Sequence, residues 1–184
     1  FKMVADASSS RLLGLQGIGP GEVAKRIDVA ATALTFRATV DQVADLDLGY
    51  APPYAPAVDP IHHVANMIRN KRDGLTQGLG PLRLQEMLDE GEAFLLLDVR
   101  SRAEFANSRI AAGGRLLHIP QEELRARIGE LPRNVPIVIY CARGVRAYRA
   151  QRLLAGLGLK DVAFLEGSLM AWAGDTEADP PSES

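Results

Sequence analysis

Residues 136–148 read Pro136-Ile137-Val138-Ile139-Tyr140-Cys141-Ala142-Arg143-Gly144-Val145-Arg146-Ala147-Tyr148. The unbroken apolar run within Val135–Tyr140 predicts a strand buried on both faces. The only cysteine of the chain follows at once. A short loop holding Gly144 comes next. A helix is then predicted over Arg146–Gly156, with Leu153, Leu154 and Leu157 on its apolar side. Such a strand, loop and helix aim successive backbone N–H groups and the positive helix end at the sulfur. Arg143 and Arg146 add positive charge nearby. A thiol in that position is expected to have a lowered pKa and to act as a nucleophile. The competing reading is a buried structural cysteine, since free cysteine packs as a small apolar residue. The combination of strand end, glycine loop, helix start and two arginines favours the nucleophile.

Outward from this stretch, strands alternate with helices. Leu82–Gly91 reads as a short helix, Ala93–Val99 as a buried strand, and Ser101–Phe105 as a helical turn. Gln121–Ile128 reads as helix, Asp161–Leu165 as strand, and Leu169–Trp172 as helix. That alternation predicts an α/β fold whose parallel sheet carries helices on both faces. Ligands of such sheets sit beyond the carboxyl ends of the strands.

The first half differs. Phe1–Ala5 and Leu12–Ile18 flank the turn Asp6-Ala7-Ser8-Ser9-Ser10 and predict a hairpin. A helix follows from about Glu22 to Phe36. Thr39 is a candidate N-cap for a short helix. Tyr50-Ala51-Pro52-Pro53-Tyr54-Ala55-Pro56 cannot be helical, because proline removes donors and restricts its neighbour. Asp59-Pro60 reads as the N-cap and first residue of a helix to about Arg72. The Gly-rich stretch 74–81 reads as a linker. The expected division is therefore 1–73, an α+β portion; 74–81, a linker; 82–176, the α/β domain; and 177–184, a frayed tail.

The totals bound the function. The 184 residues are 47% hydrophobic and 24% charged, with a net charge of -2. This is the composition of a globular protein with room for one domain or two small ones. No basic excess argues for nucleic acid. The apolar runs are far short of the roughly 20 residues of a membrane span. A single cysteine excludes an intramolecular disulfide and a cysteine-rich zinc site, and fits a reducing, cytoplasmic setting. His62-His63 on a helix point about 100° apart, so a surface role is expected rather than a metal site. The chain opens at Phe1 in strand-like residues, without a signal-peptide pattern, and reads as part of a longer protein.

Residues 82–174 resemble the rhodanese family of sulfurtransferases. Leu97-Asp98-Val99-Arg100 matches its early strand end, Glu104-Phe105 its acidic-aromatic pair, and Ile119-Pro120 the entry to its middle segment. Cys141 to Arg146 matches the active loop C-x-x-G-x-R. Glu166-Gly167-Ser168 and Ala171-Trp172 match its closing motif. The resemblance implies that Cys141 carries a sulfane sulfur as a persulfide. Ala142, Arg143, Gly144, Val145 and Arg146 would form the substrate-binding loop, with Asp98 and Arg100 in support. Related phosphatases need one more residue, C-x5-R, to encircle a phosphate; here position 147 is alanine. Three departures stand out. The family's "GHIPGA" appears as Ser108-Arg109-Ile110-Ala111-Ala112, extra residues precede Ile119, and Ser168 replaces a glycine. Arg100 and Glu104 could be ligands, although a structural ion pair is the preferred reading for both. Arg149 and Arg152 are expected to be solvated helix residues.

Lys25 to Ala33, Asp45 to Tyr54 and Asp59-Pro60 resemble the second part only of the carboxy-terminal dimerisation domain of pyridine nucleotide–disulfide oxidoreductases, closest to the CoA-disulfide reductase, NADH oxidase and NADH-dependent persulfide reductase branch, so residues 1–73 are expected to be a partial domain. The resemblance implies a homodimer and a parent enzyme using FAD, NAD(P)H and possibly CoA, none of them expected in this chain. No metal, nucleic-acid or membrane partner is expected. Tyr50 and Tyr54 stand where relatives send tyrosines into a partner's active site, and packing against prolines at an interface is the equal alternative. The substrate would be a small sulfur compound: thiosulfate, a thiol persulfide or CoA persulfide. The leading expectation is a sulfurtransferase domain of a flavin-dependent reductase. The alternatives are a persulfide- or CoA-thiol-binding accessory module and dimerisation region of an NADH oxidase or disulfide reductase, without independent sulfurtransferase turnover, and a non-catalytic dimerisation or protein-binding module.

Overall fold

The computed structural model describes residues 1–180, which divide into two units, Phe1–Leu75 and Thr76 onward. In the first, β1 (Lys2–Ala5) and β2 (Leu12–Gln16) form the expected antiparallel hairpin. Asp6 closes its turn by accepting the Ser8 and Ser9 backbone N–H groups at 3.1 and 2.7 Å, the local bonding that places aspartate in turns. Helices α1 (Val23–Thr35), α2 (Val40–Ala44) and α3 (Pro60–Arg72) follow. Thr39 caps α2 reciprocally: its hydroxyl accepts the Gln42 backbone N–H, and the Gln42 side-chain oxygen Oε1 accepts the Thr39 backbone N–H. Leu12, Ala30, Val40, Val43, Ile61 and Ala65 form the core where these faces meet.

One buried ion pair joins two helix starts in that unit. Asp59 caps α3 by accepting the Ile61 N–H at 3.0 Å, and it takes Nη2 of Arg26 from α1 at 2.8 Å. Burial pushes the Asp59 carboxyl up, but Arg26 and the Ile61 N–H outweigh it and hold it below its usual range.

The second unit contains β3 (Gly78–Leu79), α4 (Pro81–Asp89), β4 (Leu95–Asp98), α5 (Arg102–Asn107), β5 (Arg109–Ile110) and β6 (Leu116–His118). Then come β7 (Ile137–Tyr140), α6 (Val145–Gly156), β8 (Val162–Leu165) and β9 (Thr176–Glu177). Five strands form one parallel sheet in the order β3-β8-β7-β4-β6. Side chains alternate across it. Leu97, Ile137, Ile139, Val162 and Phe164 pack with Ala147, Ala150 and Leu154 of α6. Leu96, Val138, Tyr140 and Leu165 pack with Leu84 and Met87 of α4 on the other side. Helices on both faces explain why these strands are apolar throughout rather than alternating.

Four expectations are corrected. The stretch 74–81 is not all linker: Gly78 and Leu79 pair with Phe164 and Leu165 as the edge strand. Their backbone groups find partners there although the composition is that of a loop. Gln121–Ile128 is not a helix but successive turns, ending in a 3-10 segment at Ile128–Glu130. Leu124 is its one fully buried apolar residue, and Pro132 lies just beyond, too little stripe and too short a run to sustain an α-helix. The expected helix at 169–172 is a 3-10 turn over Ser168–Ala171. The tail begins later than expected, because Glu177 pairs with Arg109 in the β5–β9 ladder; residues 181–184 of that predicted tail lie outside the described residues.

Helix α5 carries the link between the sheet and the loop after β7. Ser101 and Glu104 form a capping box at its start. The same Glu104 carboxylate accepts both Arg146 guanidinium nitrogens, at 2.7 and 2.6 Å. Arg146, and with it the bond from Ser101, pulls the Glu104 pKa down to about 2 from an ordinary 4.5.

Two predictions follow from these pairs. Arg26→Ala leaves a buried carboxylate unpaired and is expected to destabilise the first unit by about 3–5 kcal/mol in urea unfolding; a loss under about 1 kcal/mol would remove the pair from the account. For Glu104, a lowered folded pKa means the pair's contribution is complete above about pH 4.5 and fades as pH falls towards 2. The pair is about one-third exposed, so the effect is modest and screened by salt. The Tm of the native protein should fall more steeply across that window than that of Glu104→Gln.

Candidate active site

Strand β7 is central in the sheet, and its period of two decides where Cys141 faces. Ile137, Ile139 and Cys141 fall on the α6 side, and Val138 and Tyr140 on the other. Cys141 thus emerges at the carboxyl end of a buried strand, beneath the first turn of α6. Gly144 is the N-cap of that helix with φ of 116°, a conformation that favours glycine. Its N–H points back at the cysteine and donates to Sγ at 3.1 Å.

The cysteine is 1% exposed. Burial pushes its pKa up, but the backbone N–H groups of Ala147 and Gly144, the Ser168 hydroxyl and the Arg143 N–H together outweigh burial, so the thiol is more acidic than a free cysteine. Among the loop side chains, Arg143 and Val145 are exposed, while Ala142 and Arg146 are half-buried. Arg146 is held mainly by Glu104 and, to a lesser degree, interacts with the Cys141 sulfur. The loop's own backbone therefore supplies most of the stabilisation expected for a thiolate, with the nearest arginine already matched by a carboxylate.

The turn after β8 completes the enclosure. Gly167 and Ser168 both have left-handed backbones, φ 74° and 52°. A side chain on Gly167 would collide with Ala171 Cβ. The next two residues are stitched to the loop: Leu169 N–H donates to the Cys141 carbonyl at 3.1 Å and Met170 N–H to the Ala142 carbonyl at 3.0 Å. Ser168, fully buried, accepts the Cys141 N–H at 3.1 Å, and its oxygen lies 3.7 Å from Sγ. In the sequence this serine stands out only as a departure from a glycine; the signal available there is a polar residue in a turn position made for glycine.

Asp98 and Arg100 satisfy each other. Arg100 Nη2 lies 2.6 Å from Asp98 Oδ2, Nε lies 3.0 Å from both carboxylate oxygens, and Nη2 also donates to the Ser108 carbonyl. Asp98 stands opposite Tyr140 in the ladder, and the Arg100 guanidinium lies 5.4 Å from the Tyr140 ring centre. Burial, then Asp98, raises the Tyr140 pKa far above its ordinary value, so its hydroxyl stays protonated. This cluster occupies the face of β7 that Cys141 does not. It orders the strand ends and the segment after α5, where the Tyr140 hydroxyl accepts the Ile110 N–H. Glu104 is likewise an ion-pair residue, its partner being the loop's own Arg146. Arg149 is exposed, and Arg152 is half-buried and partnered.

Tyr50 and Tyr54 belong to the first unit and are 58% and 78% exposed there. His63 is exposed and His62 half-buried. Among the described residues, no group of three or more His, Cys, Asp or Glu side chains could hold a metal ion. Among the described residues, no helix is long and apolar enough to cross a membrane.

Comparison with known proteins agrees with this architecture. The model of the rhodanese-like domain matches residues 81–175, and that of the pyridine nucleotide-disulphide oxidoreductase dimerisation domain matches residues 1–61. A sulfurtransferase of Allochromatium vinosum is 36% identical over 90 residues, 49% of this chain and 81% of the relative. The NAD(P)H sulfur oxidoreductase (CoA-dependent) of Pyrococcus furiosus is 43% identical over 69 residues, 38% of this chain and 15% of that protein. A NAD-dependent persulfide reductase from A. fulgidus superposes with a TM-score of 0.79 at 45% identity, and the reduced Bacillus anthracis CoADR-RHD with 0.83 at 34%. Each superposition covers 92% of this chain but 29% of the solved one. With its cysteine loop at the end of a parallel sheet and a matching hairpin–helix unit before it, the chain belongs to the rhodanese-like family and carries a dimerisation domain of the pyridine nucleotide–disulphide oxidoreductases.

Proposed function

We propose that the second unit is a sulfurtransferase working through a persulfide on Cys141. The observation that carries this reading is the convergence of the Ala147, Gly144 and Arg143 backbone N–H groups on one buried sulfur, where the six-residue loop from Cys141 to Arg146 runs into α6. The Cys141 thiolate attacks the sulfane sulfur of thiosulfate or of a thiol persulfide. The donor's S–S bond breaks, and sulfite or the donor thiolate leaves with the electron pair. The new S–S bond leaves the outer sulfur charged, inside a ring of N–H donors that costs no reorganisation. An acceptor thiolate or cyanide then takes that sulfur, and the Cys141 thiolate departs with the bonding pair. No net oxidation occurs.

The names of the relatives extend the reading to a longer parent protein, a CoA- or persulfide-linked reductase using NAD(P)H, with FAD implied by the resemblance of the first unit, in which this unit passes sulfane sulfur to or from the reductase centre. Gly17 to Gly21 leads from an antiparallel hairpin into α1, not through a βαβ unit that would cradle a dinucleotide. The first unit would pair two copies in a homodimer, and the exposed phenols of Tyr50 and Tyr54 would serve the partner's site.

Three experiments test this. Cys141→Ser should lower sulfur transfer from thiosulfate or glutathione persulfide by at least about a thousandfold and abolish the mass gain of one sulfur atom; undiminished transfer sinks the assignment. A native protein that gains the sulfur atom but never releases it to an acceptor would instead favour the accessory, persulfide-binding module. Iodoacetamide alkylation of Cys141 should have its pH midpoint below the roughly 8.5 of a free cysteine, and an ordinary midpoint would favour a non-catalytic module. In the full-length parent, Tyr50→Phe or Tyr54→Phe should cost about tenfold in turnover if the phenol bonds a developing thiolate; unchanged turnover assigns the rings to packing.

A further inference from the structure

We infer that Ser168 is a positioning residue for the Cys141 sulfur, supplying a hydroxyl proton that turns to the sulfur when it becomes charged. The inference rests on the sulfurtransferase reading but concerns a different residue and a different observable. The geometry is specific. Ser168 is fully buried in the turn after β8, so its hydroxyl has no water to bond. Its oxygen accepts the Cys141 N–H at 3.1 Å. That leaves one proton and two acceptors for it: the Leu165 carbonyl at 3.2 Å and Cys141 Sγ at 3.7 Å. A neutral thiol is a weak acceptor, so the proton rests on the carbonyl. A thiolate is a strong one, and charge-assisted bonds are the strong ones in a dry site. The same oxygen thus fixes the cysteine backbone in both states and responds to the sulfur only in the charged one.

The backbone gives a second reason. Ser168 has φ of 52°, where glycine is free and other residues are strained. Glycine would be the comfortable residue there, and serine keeps its side chain at the expense of that strain. Strain of this kind, held by surrounding structure at a reactive group, marks a functional constraint. Other groups around the sulfur leave the role open to Ser168. Arg146 from α6 is held mainly by Glu104 of α5 and meets the sulfur to a lesser degree, and Arg143 of the loop is exposed. Tyr148 of α6 packs edge-on to Phe164. Asp98, Arg100 and Tyr140 lie across the sheet, and Glu166 precedes the turn.

The strain makes the inference testable without wrecking the fold. Ser168→Gly removes the hydroxyl and relieves the backbone; Ser168→Ala removes the hydroxyl and keeps the strain. Urea unfolding should therefore rank Gly as the more stable of the two. Both should nonetheless move the pH midpoint of Cys141 alkylation upward by the same amount and slow alkylation at pH 7 by about three- to tenfold. If alkylation keeps the native midpoint in Ser168→Gly, or if the midpoint follows stability rather than the hydroxyl, Ser168 is structural and the inference falls. The reading of the site fails separately, in the native protein, if no persulfide forms on Cys141.

Discussion

The period of a buried parallel strand governs this molecule. Strand β7 lies between β4 and β8 and is covered by helices on both faces, so slipping it by one residue would turn every side chain to the wrong face. The register that buries Ile137 and Ile139 against α6 is the one that delivers Cys141 beneath the start of the same helix. Packing energy of the whole core thereby holds one sulfur in place. Tyr140, one residue earlier, is committed to the opposite face and to Asp98 and Arg100. Two neighbouring residues serve two separate clusters because a strand allows nothing else.

Around that fixed sulfur, stabilisation comes from backbone more than from charge. Arg146 spends its guanidinium on Glu104, and Glu104 also caps α5. This chain of contacts ties the helix after β4 to the helix after β7 and closes the loop from one side. The turn after β8 closes it from the other through Leu169 and Met170 N–H groups on loop carbonyls. A site made of fixed dipoles needs little rearrangement as charge moves on to the sulfur, which suits a group that carries and releases it. The segment 107–117, which departs from the family's pattern, meets this region through the Arg100–Asp98–Tyr140 cluster on the far face.

The fold was legible where local pattern and burial agree. The apolar runs at 93–99, 135–140 and 161–165 gave the strands, and Thr39 and Asp59 gave their helix starts through capping chemistry that needs only a few residues. It was illegible where structure depends on a distant partner. Gly78 and Leu79 look like a linker because glycine favours loops, yet they form a strand because β8 offers an edge. Residues 121–128 carry helix-forming residues, but Leu124 alone is fully buried, and turns result.

The sequence by itself determined that Cys141 ends a buried strand, opens a six-residue loop and precedes a helix, since these depend on neighbours a few positions away. It also carried both family resemblances, because motif residues and their spacing survive in the chain. Tertiary structure alone decided which carboxylate meets which arginine. Glu104 and Arg146 are 42 positions apart and Cys141 and Ser168 are 27, and only the folded sheet brings each pair within reach. A serine where glycine is more comfortable reads as a minor departure in one dimension. In three dimensions it is the hydroxyl beside the sulfur, because a parallel sheet gathers the ends of strands that are remote in sequence.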